Sequence, residues 1–201
     1  MADKETLAVY AARATDYANR FGKDRPDRHL AAFIAALPEG TSVLDLGCGP
    51  ARSAAYMAQA GLEVHAWDAS PEMAGIAKET FGLDVEIKEF SDLTGANRFG
   101  GVYANFSLLH APKSEMPEHL ARIARALKPS GLFHIGLKTG EGEVRDKLGR
   151  LYSYYQDAEI TALLEGAGLS VISRDFGADK GLDGTIAPWI ILKARKAPDH
   201  D

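Results

Sequence analysis

Apolar residues along this chain follow two rhythms, and the rhythms alternate. Over residues 4–22, Leu7, Tyr10, Ala11, Ala14, Tyr17, Ala18 and Phe21 recur at the i, i+3, i+4 spacing of one helical face, and Gly22 ends the run. After the turn Lys23-Asp24-Arg25-Pro26, a second helix carries Leu30, Phe33, Ile34 and Leu37 on one side and closes at Pro38-Glu39-Gly40. Short apolar runs then alternate with helical segments. Strands are predicted at 42–46, up to Asp68, at 84–90, 102–106, 132–137, 169–176 and 189–193. Helices are predicted at 50–60 (stopped by Gly61), from the Ser70-Pro71-Glu72 start to Phe81, at 112–127 (burying Leu120, Ile123 and Leu127), and at 158–167 with Asp157 as N-cap and Gly168 as stop. In 84–90, Val85 and Ile87 alternate with Glu86 and Lys88, which suits a strand near an edge. Such alternation of strand and helix is the pattern of an α/β domain with a parallel sheet. The polar stretch 138–150 reads as a mobile surface loop, and 177–184 as a glycine-rich turn.

The most informative stretch is Val43-Leu44-Asp45-Leu46-Gly47-Cys48-Gly49-Pro50, followed by an alanine-rich helix and Val64-His65-Ala66-Trp67-Asp68. It reads as strand, glycine turn, helix and second strand, the start of a βαβ unit whose turn faces a nucleotide-like ligand. Gly47 and Gly49 allow a tight turn and close approach, and Pro50 suits the first helical position. A dinucleotide would place a pyrophosphate here. Yet Arg52 stands at the third glycine position of G-x-G-x-x-G, and Asp45 lies two residues before the first glycine, where it repels phosphate. An acid there suits a ligand with a positive end and no phosphate, such as S-adenosylmethionine. Asp68, ending the second strand, is placed to accept hydrogen bonds from a ribose diol.

The run VLDLGCGP…VHAWDAS resembles the cofactor-binding half of the class I S-adenosylmethionine-dependent methyltransferases. DVEIKEFSDL is similar to their third strand and adenine-reading loop, VYANFSLLHAP to their fourth-strand segment, and ALKPSGLFHIGLK to the lead-in to their fifth; the likeness covers roughly 40–196. Ala51 stands where many members have a third glycine, and Gly100 and Gly101 where an aspartate usually opens the fourth strand. The resemblance implies a Rossmann-like, doubly wound, seven-stranded sheet, mostly parallel with an antiparallel last strand, helices on both faces and an N-terminal helical lid. It implies one domain: lid 1–40, core 41–196 and a loose tail 197–201. It also implies S-adenosylmethionine as cofactor, S-adenosylhomocysteine as product, and contacts from Asp45, Gly47, Cys48, Gly49, Asp68, Ala69, Ser91, Asp92, Leu93, Asn105 and Phe106. Asp92 would accept from the adenine amino group with Leu93 or Phe90 against the base, although Ser and Asp also favour turns for local reasons.

Composition narrows the partners. The 201 residues are 46% hydrophobic and 25% charged, with a net charge of −5. Lys and Arg are scattered, which argues against nucleic acid. No stretch reaches a membrane span, no secretory run opens the chain, and one cysteine excludes an intrachain disulfide and a cysteine-based zinc site. A cytoplasmic protein, monomeric or homodimeric and holding no metal, is expected.

The methyl acceptor is read less directly. In this class the segment Asn105 to His110 passes between cofactor and acceptor. His110 is the one side chain there able to take a proton near neutral pH, and equally able simply to cap the next helix or pack under the lid. Tyr10, Tyr17 and Arg20 face the pocket if the first helix is a lid, and merely cover the sheet edge otherwise. Arg145 and Arg150, with Tyr152, Tyr154 and Tyr155, suit a planar or acidic substrate, against the alternative of a solvated loop and an aromatic strand. Methyl transfer by in-line displacement to O, N or S of a small molecule is the expected activity. The competing readings are a non-catalytic protein that binds S-adenosylmethionine and an NAD-dependent oxidoreductase.

Overall fold

The computed structural model describes residues 3–14, 16 and 25–198. In chain order the elements begin with α1 (Lys4–Ala12), α2 (Arg28–Ala35), β1 (Ser42–Leu46), α3 (Arg52–Gln59), β2 (Glu63–Asp68) and α4 (Pro71–Phe81). There follow β3 (Glu86–Ile87), β4 (Phe99–Asn105), α5 (Met116–Ala126) and β5 (Leu127–Lys138). The chain ends with β6 (Glu143–Arg145), β7 (Leu151–Ser153), α6 (Asp157–Gly166), β8 (Leu169–Lys180) and β9 (Ile186–Lys196).

Central strands covered on both faces are apolar at consecutive positions, and β1 is buried from Val43 to Leu46. Seven strands form one sheet in the order β3-β2-β1-β4-β5-β9-β8. Strands β1 to β5 are parallel, with Asp45 opposite Ala66 and Tyr103 in the two neighbours. Strand β9 runs antiparallel between β5 and β8. One face of the sheet (Leu44, Leu46, Val102, Ala104, Phe133, Ile135) packs on Met116, Leu120 and Ile123 of α5 and on Ile160 and Leu164 of α6. The other face meets Leu30 and Phe33 of α2 and Met57 of α3 through Val43, Tyr103 and Leu132, and α3 packs on α4 through Ala54 and Ala77.

Local chemistry sets the ends of these helices. Ser70 caps α4 by accepting the Met73 amide at 3.3 Å, with Pro71 first in the helix and Gly82 left-handed behind it. Helix α3 begins later than the sequence predicts. Pro50 sits in a turn closed by the Ala51 amide on the Cys48 carbonyl at 3.0 Å, and Ala51, at φ 57°, occupies the left-handed region that a glycine takes more easily. Helix α6 is capped by Gln156 with Glu159, one residue before the expected Asp157.

Three further expectations are corrected. The predicted strand 84–90 shrinks to two residues at the sheet edge, where Ile87 is 52% exposed and only β2 offers hydrogen bonds. The strand expected at 132–137 starts at Leu127, because Phe99 pairs with Leu127 before a register shift to Gly101 and Leu132. The stretch 138–150 is no loose loop: Glu143, Val144 and Arg145 pair antiparallel with Ser153, Tyr152 and Leu151. Of the helix predicted over 4–22, residues 15 and 17–22 lie outside the described residues, with Tyr17 and Arg20 among them, as do residues 199–201 of the expected tail.

Candidate active site

Strand β1 has β2 on one side and β4 on the other, and the chain leaves β1 and β4 towards opposite faces, to α3 and α5. A crevice therefore opens at the carboxyl ends of these strands, as parallel sheets produce wherever the strand order reverses. It is a cavity of about 550 Å³, within the range of small-ligand sites.

One end is built by β1, β2 and the turn after β1. Gly47 has φ +72°, and a Cβ there would come within 2.4 Å of the Ser107 Cβ and 3.3 Å of the Phe90 ring. Ser107 is fixed by its hydroxyl donating to the Leu46 carbonyl at 2.6 Å. The Gly49 amide donates to Asp68 Oδ2 at 2.7 Å and the Ser70 amide to Asp68 Oδ1 at 2.9 Å. Burial raises the Asp68 carboxyl and these amides oppose the shift. Asp45 is 3% exposed, and its Oδ2 has no hydrogen-bond partner among the described residues. Burial pushes its carboxyl up to about 7, the Ala54 amide opposing and Asp68 adding to the shift. An orphaned carboxylate oxygen in a cradle that admits no Cβ fits the cationic end of a ligand.

The other end is a closed hydrogen-bond chain. Arg150, 1% exposed, donates from one guanidinium nitrogen to the Tyr10 hydroxyl at 3.0 Å. That hydroxyl donates to His110 Nε2 at 2.8 Å. The Leu151 carbonyl only accepts, so His110 Nδ1, 2.6 Å away, carries the ring proton. Burial lowers His110 to about 4, the Leu151 bond opposing. Arg150 is neutralised by Asp146, whose Oδ2 lies 2.6 Å and 2.9 Å from two of its nitrogens. Of the two readings of His110, as base or as a residue packed under the N-terminal helix, this arrangement fits the second. In this arrangement the ring is neutral and its one lone pair is taken by Tyr10, so His110 orients Tyr10.

Between the two ends, Asn105 closes β4 and accepts from His134 Nε2 at 3.0 Å, which points its amide NH₂ away from the imidazole. Phe106, at φ 56°, is held in the left-handed region by its amide bond to the Gly136 carbonyl at 3.0 Å. Trp189 forms a further wall, and Gly177 opposite it in the ladder makes room, since a Cβ there would lie 2.2 Å from the indole.

Among the residues the sequence singles out, Asp45, Gly47, Cys48, Gly49, Asp68, Ala69, Ser91, Asn105, Phe106, His110, Tyr10 and Tyr152 line this one cavity. Four do not. Asp92 is exposed and accepts the Glu89 amide at 2.8 Å, Leu93 is buried in the core, and Phe90 and Ser91 face the cavity in their stead. Arg145 lies on the surface, paired with Asp3 at 2.8 Å and Glu5 at 3.2 Å, and Tyr154 stacks behind the lining against Gly140. Tyr17 lies outside the described residues. Roles for His134, Asp146, Trp189 and Lys138 were not expected, and Ser107 was expected only as part of the segment Asn105 to His110. Of these, only Lys138, a cation ending an otherwise apolar strand, carried a signal in the sequence.

Among known proteins, residues 43–131 match the model of a family described as a methyltransferase domain. The cypemycin N-terminal methyltransferase of a Streptomyces species is 41% identical over 113 residues, 53% of this chain and 46% of that protein. An uncharacterized methyltransferase of Synechocystis is 32% identical over 100 residues, 49% of this chain and 47% of that protein. The chain thus spans about half the length of these curated relatives. Among solved structures, 1,6-didemethyltoxoflavin-N1-methyltransferase of Burkholderia thailandensis, bound to 1,6-didemethyltoxoflavin and S-adenosylhomocysteine, superposes with a TM-score of 0.76. It is 26% identical, covering 96% of this chain and 88% of that one.

Proposed function

We propose that this chain is a class I S-adenosylmethionine-dependent methyltransferase, transferring a methyl group from S-adenosylmethionine to an O, N or S atom of a small molecule. The observation that carries this reading is the buried Oδ2 of Asp45 beside the Gly47 turn, which has no hydrogen-bond partner among the described residues. It offers a counter-charge to an ammonium and would repel a pyrophosphate, which disfavours a nicotinamide dinucleotide.

In this reading Asp45 and the Gly47–Gly49 backbone hold the amino-acid part of the cofactor, and Asp68, braced by two amides, accepts from its ribose. Phe90 and Ser91 take the adenine end. The bound cofactor supplies a methyl group already activated by its sulfonium. The chain's own part is alignment and exclusion of water. Phe106 and Asn105 form the floor at which the acceptor is held, and Tyr10, Tyr152 and His110 close the far wall. Alignment alone can contribute about 7–11 kcal/mol at best, so no side chain need act as a base if the acceptor atom arrives unprotonated. His110 and Arg150 serve by fixing Tyr10.

Calorimetric titration with S-adenosylmethionine, S-adenosylhomocysteine and NAD tests the proposal. Both adenosyl ligands should bind, NAD should not, and Asp68→Ala should weaken both at least tenfold. Binding of NAD alone would sink the methyltransferase reading. Adenosyl binding with no turnover across an acceptor screen would favour a non-catalytic binding protein.

A further inference from the structure

Resting on that reading, the acceptor's own chemistry can be narrowed, because the acceptor end of the cavity holds a positive charge that no carboxylate of the described residues pairs. Lys138 ends β5, lines the cavity, and places Nζ 3.9 Å from the centre of the Tyr152 ring. No carboxylate of the described residues lies within ion-pairing distance of it. Two acids bear on it from further off, and both are engaged. Asp146 is taken by the Arg150 guanidinium and by the amides of Leu148 and Arg150, and Asp183 by the Thr185 amide at 3.0 Å. Asp179, also at the cavity, accepts from the Trp189 indole at 2.8 Å. Arg150 adds a second positive field, and burial lowers the Lys138 ammonium. A half-buried ammonium over an aromatic face gains from the ring, and gains far more from an anion brought into the same space.

The neighbouring walls are flat. Tyr10, Tyr152, Phe106 and Trp189 bound this end, with the Phe106 and Trp189 rings 6.4 Å apart and edge-on. A single cation favours a singly charged group over a phosphate, for which several donors normally converge. We propose that the methyl acceptor is a planar molecule carrying a carboxylate, with the carboxylate against Lys138 and the ring bounded by these four aromatic side chains. Tyr10 and Tyr152, each with the Arg150 guanidinium over its ring at 5.3 and 5.1 Å, then act as a rigid wall for the acceptor's ring.

The test uses protein saturated with S-adenosylhomocysteine, titrated with salicylate and with its neutral isostere salicylamide at two salt concentrations. Salicylate should bind at least tenfold more tightly than salicylamide, and the gap should narrow at the higher salt. Lys138→Met should abolish the preference while S-adenosylhomocysteine still binds, and Lys138→Arg should retain most of it. Equal binding of the two probes, a preference indifferent to Lys138→Met, or binding of neither probe by protein that takes up S-adenosylhomocysteine would each overturn the proposal. Failure to bind S-adenosylhomocysteine at all would instead remove the methyltransferase reading, and this inference with it.

Discussion

Asp45 sits where burial and ligand charge pull its proton in opposite directions. Its carboxyl is raised from 3.8 to about 7 because it is buried, and only the ionised form attracts an ammonium. Affinity for S-adenosylhomocysteine should therefore rise between pH 5.5 and 7, by up to about tenfold per unit, and level off above. Asp45→Asn should bind weakly and show no such slope in calorimetry. The ligand-free fold feels the opposite sign. The stability associated with this group is complete below the unfolded value of 3.8 and is lost as pH rises through about 7. Gly47 makes a sharper test of the cradle. Alanine there would have to adopt φ +72° with its Cβ on Ser107, so Gly47→Ala should cost roughly 1–3 kcal/mol of stability and abolish ligand binding, as thermal melts and titration would show. Both residues were legible in the sequence, because an acid two positions before a G-x-G turn has a local meaning. Asp92 carries the same kind of local signal. An aspartate after a strand reads as a ligand contact, but its turn uses the carboxylate to cap the Glu89 amide.

At the scale of elements, α1 and the β6–β7 hairpin form the outer wall together. The Asp3 carboxylate binds Arg145 through two guanidinium nitrogens at 2.8 and 3.0 Å, the Leu151 amide donates to the Thr6 hydroxyl at 2.8 Å, and Tyr10 joins His110 to Arg150. The surface pair is screened by solvent and contributes little. The buried groups matter more. Tyr10→Phe leaves His110 Nε2 without its donor, at a cost of about 1–3 kcal/mol. Once turnover is established, it should also raise KM for the acceptor while leaving S-adenosylhomocysteine affinity unchanged. Asp146→Asn strips the counter-charge from a guanidinium that is 2% exposed and should destabilise the fold by about 3–5 kcal/mol, measured by denaturant melts. None of this was visible in the sequence. The string KTGEGEVRDKLGR is too polar for a core by composition, and Arg150 is buried only because Asp146, four residues earlier, and Tyr10, 140 residues away, meet it. Helix α1 deceived in the same way, since its most buried residue among positions 3–12 is the polar Thr6.

At the scale of the molecule, the strand order decides where the ligand goes. The run from Ser42 to Asp68 carries a glycine turn between two buried strands, which is enough to place the crevice. The order of the last two strands is not carried by any local run. It depends on β9 entering between β5 and β8 to cover apolar surface on both sides. A ligand in the crevice bridges β1, β2 and the turns after β3 and β4, so its binding energy becomes folding energy of the whole sheet. At one hundred times its dissociation constant, S-adenosylhomocysteine should add about 2.7 kcal/mol. For a chain of this length that is a rise in Tm of roughly 5–10 °C. NAD at the same concentration should leave Tm unchanged. Variants then separate the cavity from its surroundings. Asp68→Ala should lose the rise, because its carboxylate ties the turn after β1 to the end of β2 and faces the ligand. Asp92→Ala should melt slightly earlier without ligand and keep the full rise, because its carboxylate holds a turn outside the cavity. If Asp92→Ala loses the rise as well, the adenine is read by that aspartate and the turn must open when the ligand arrives.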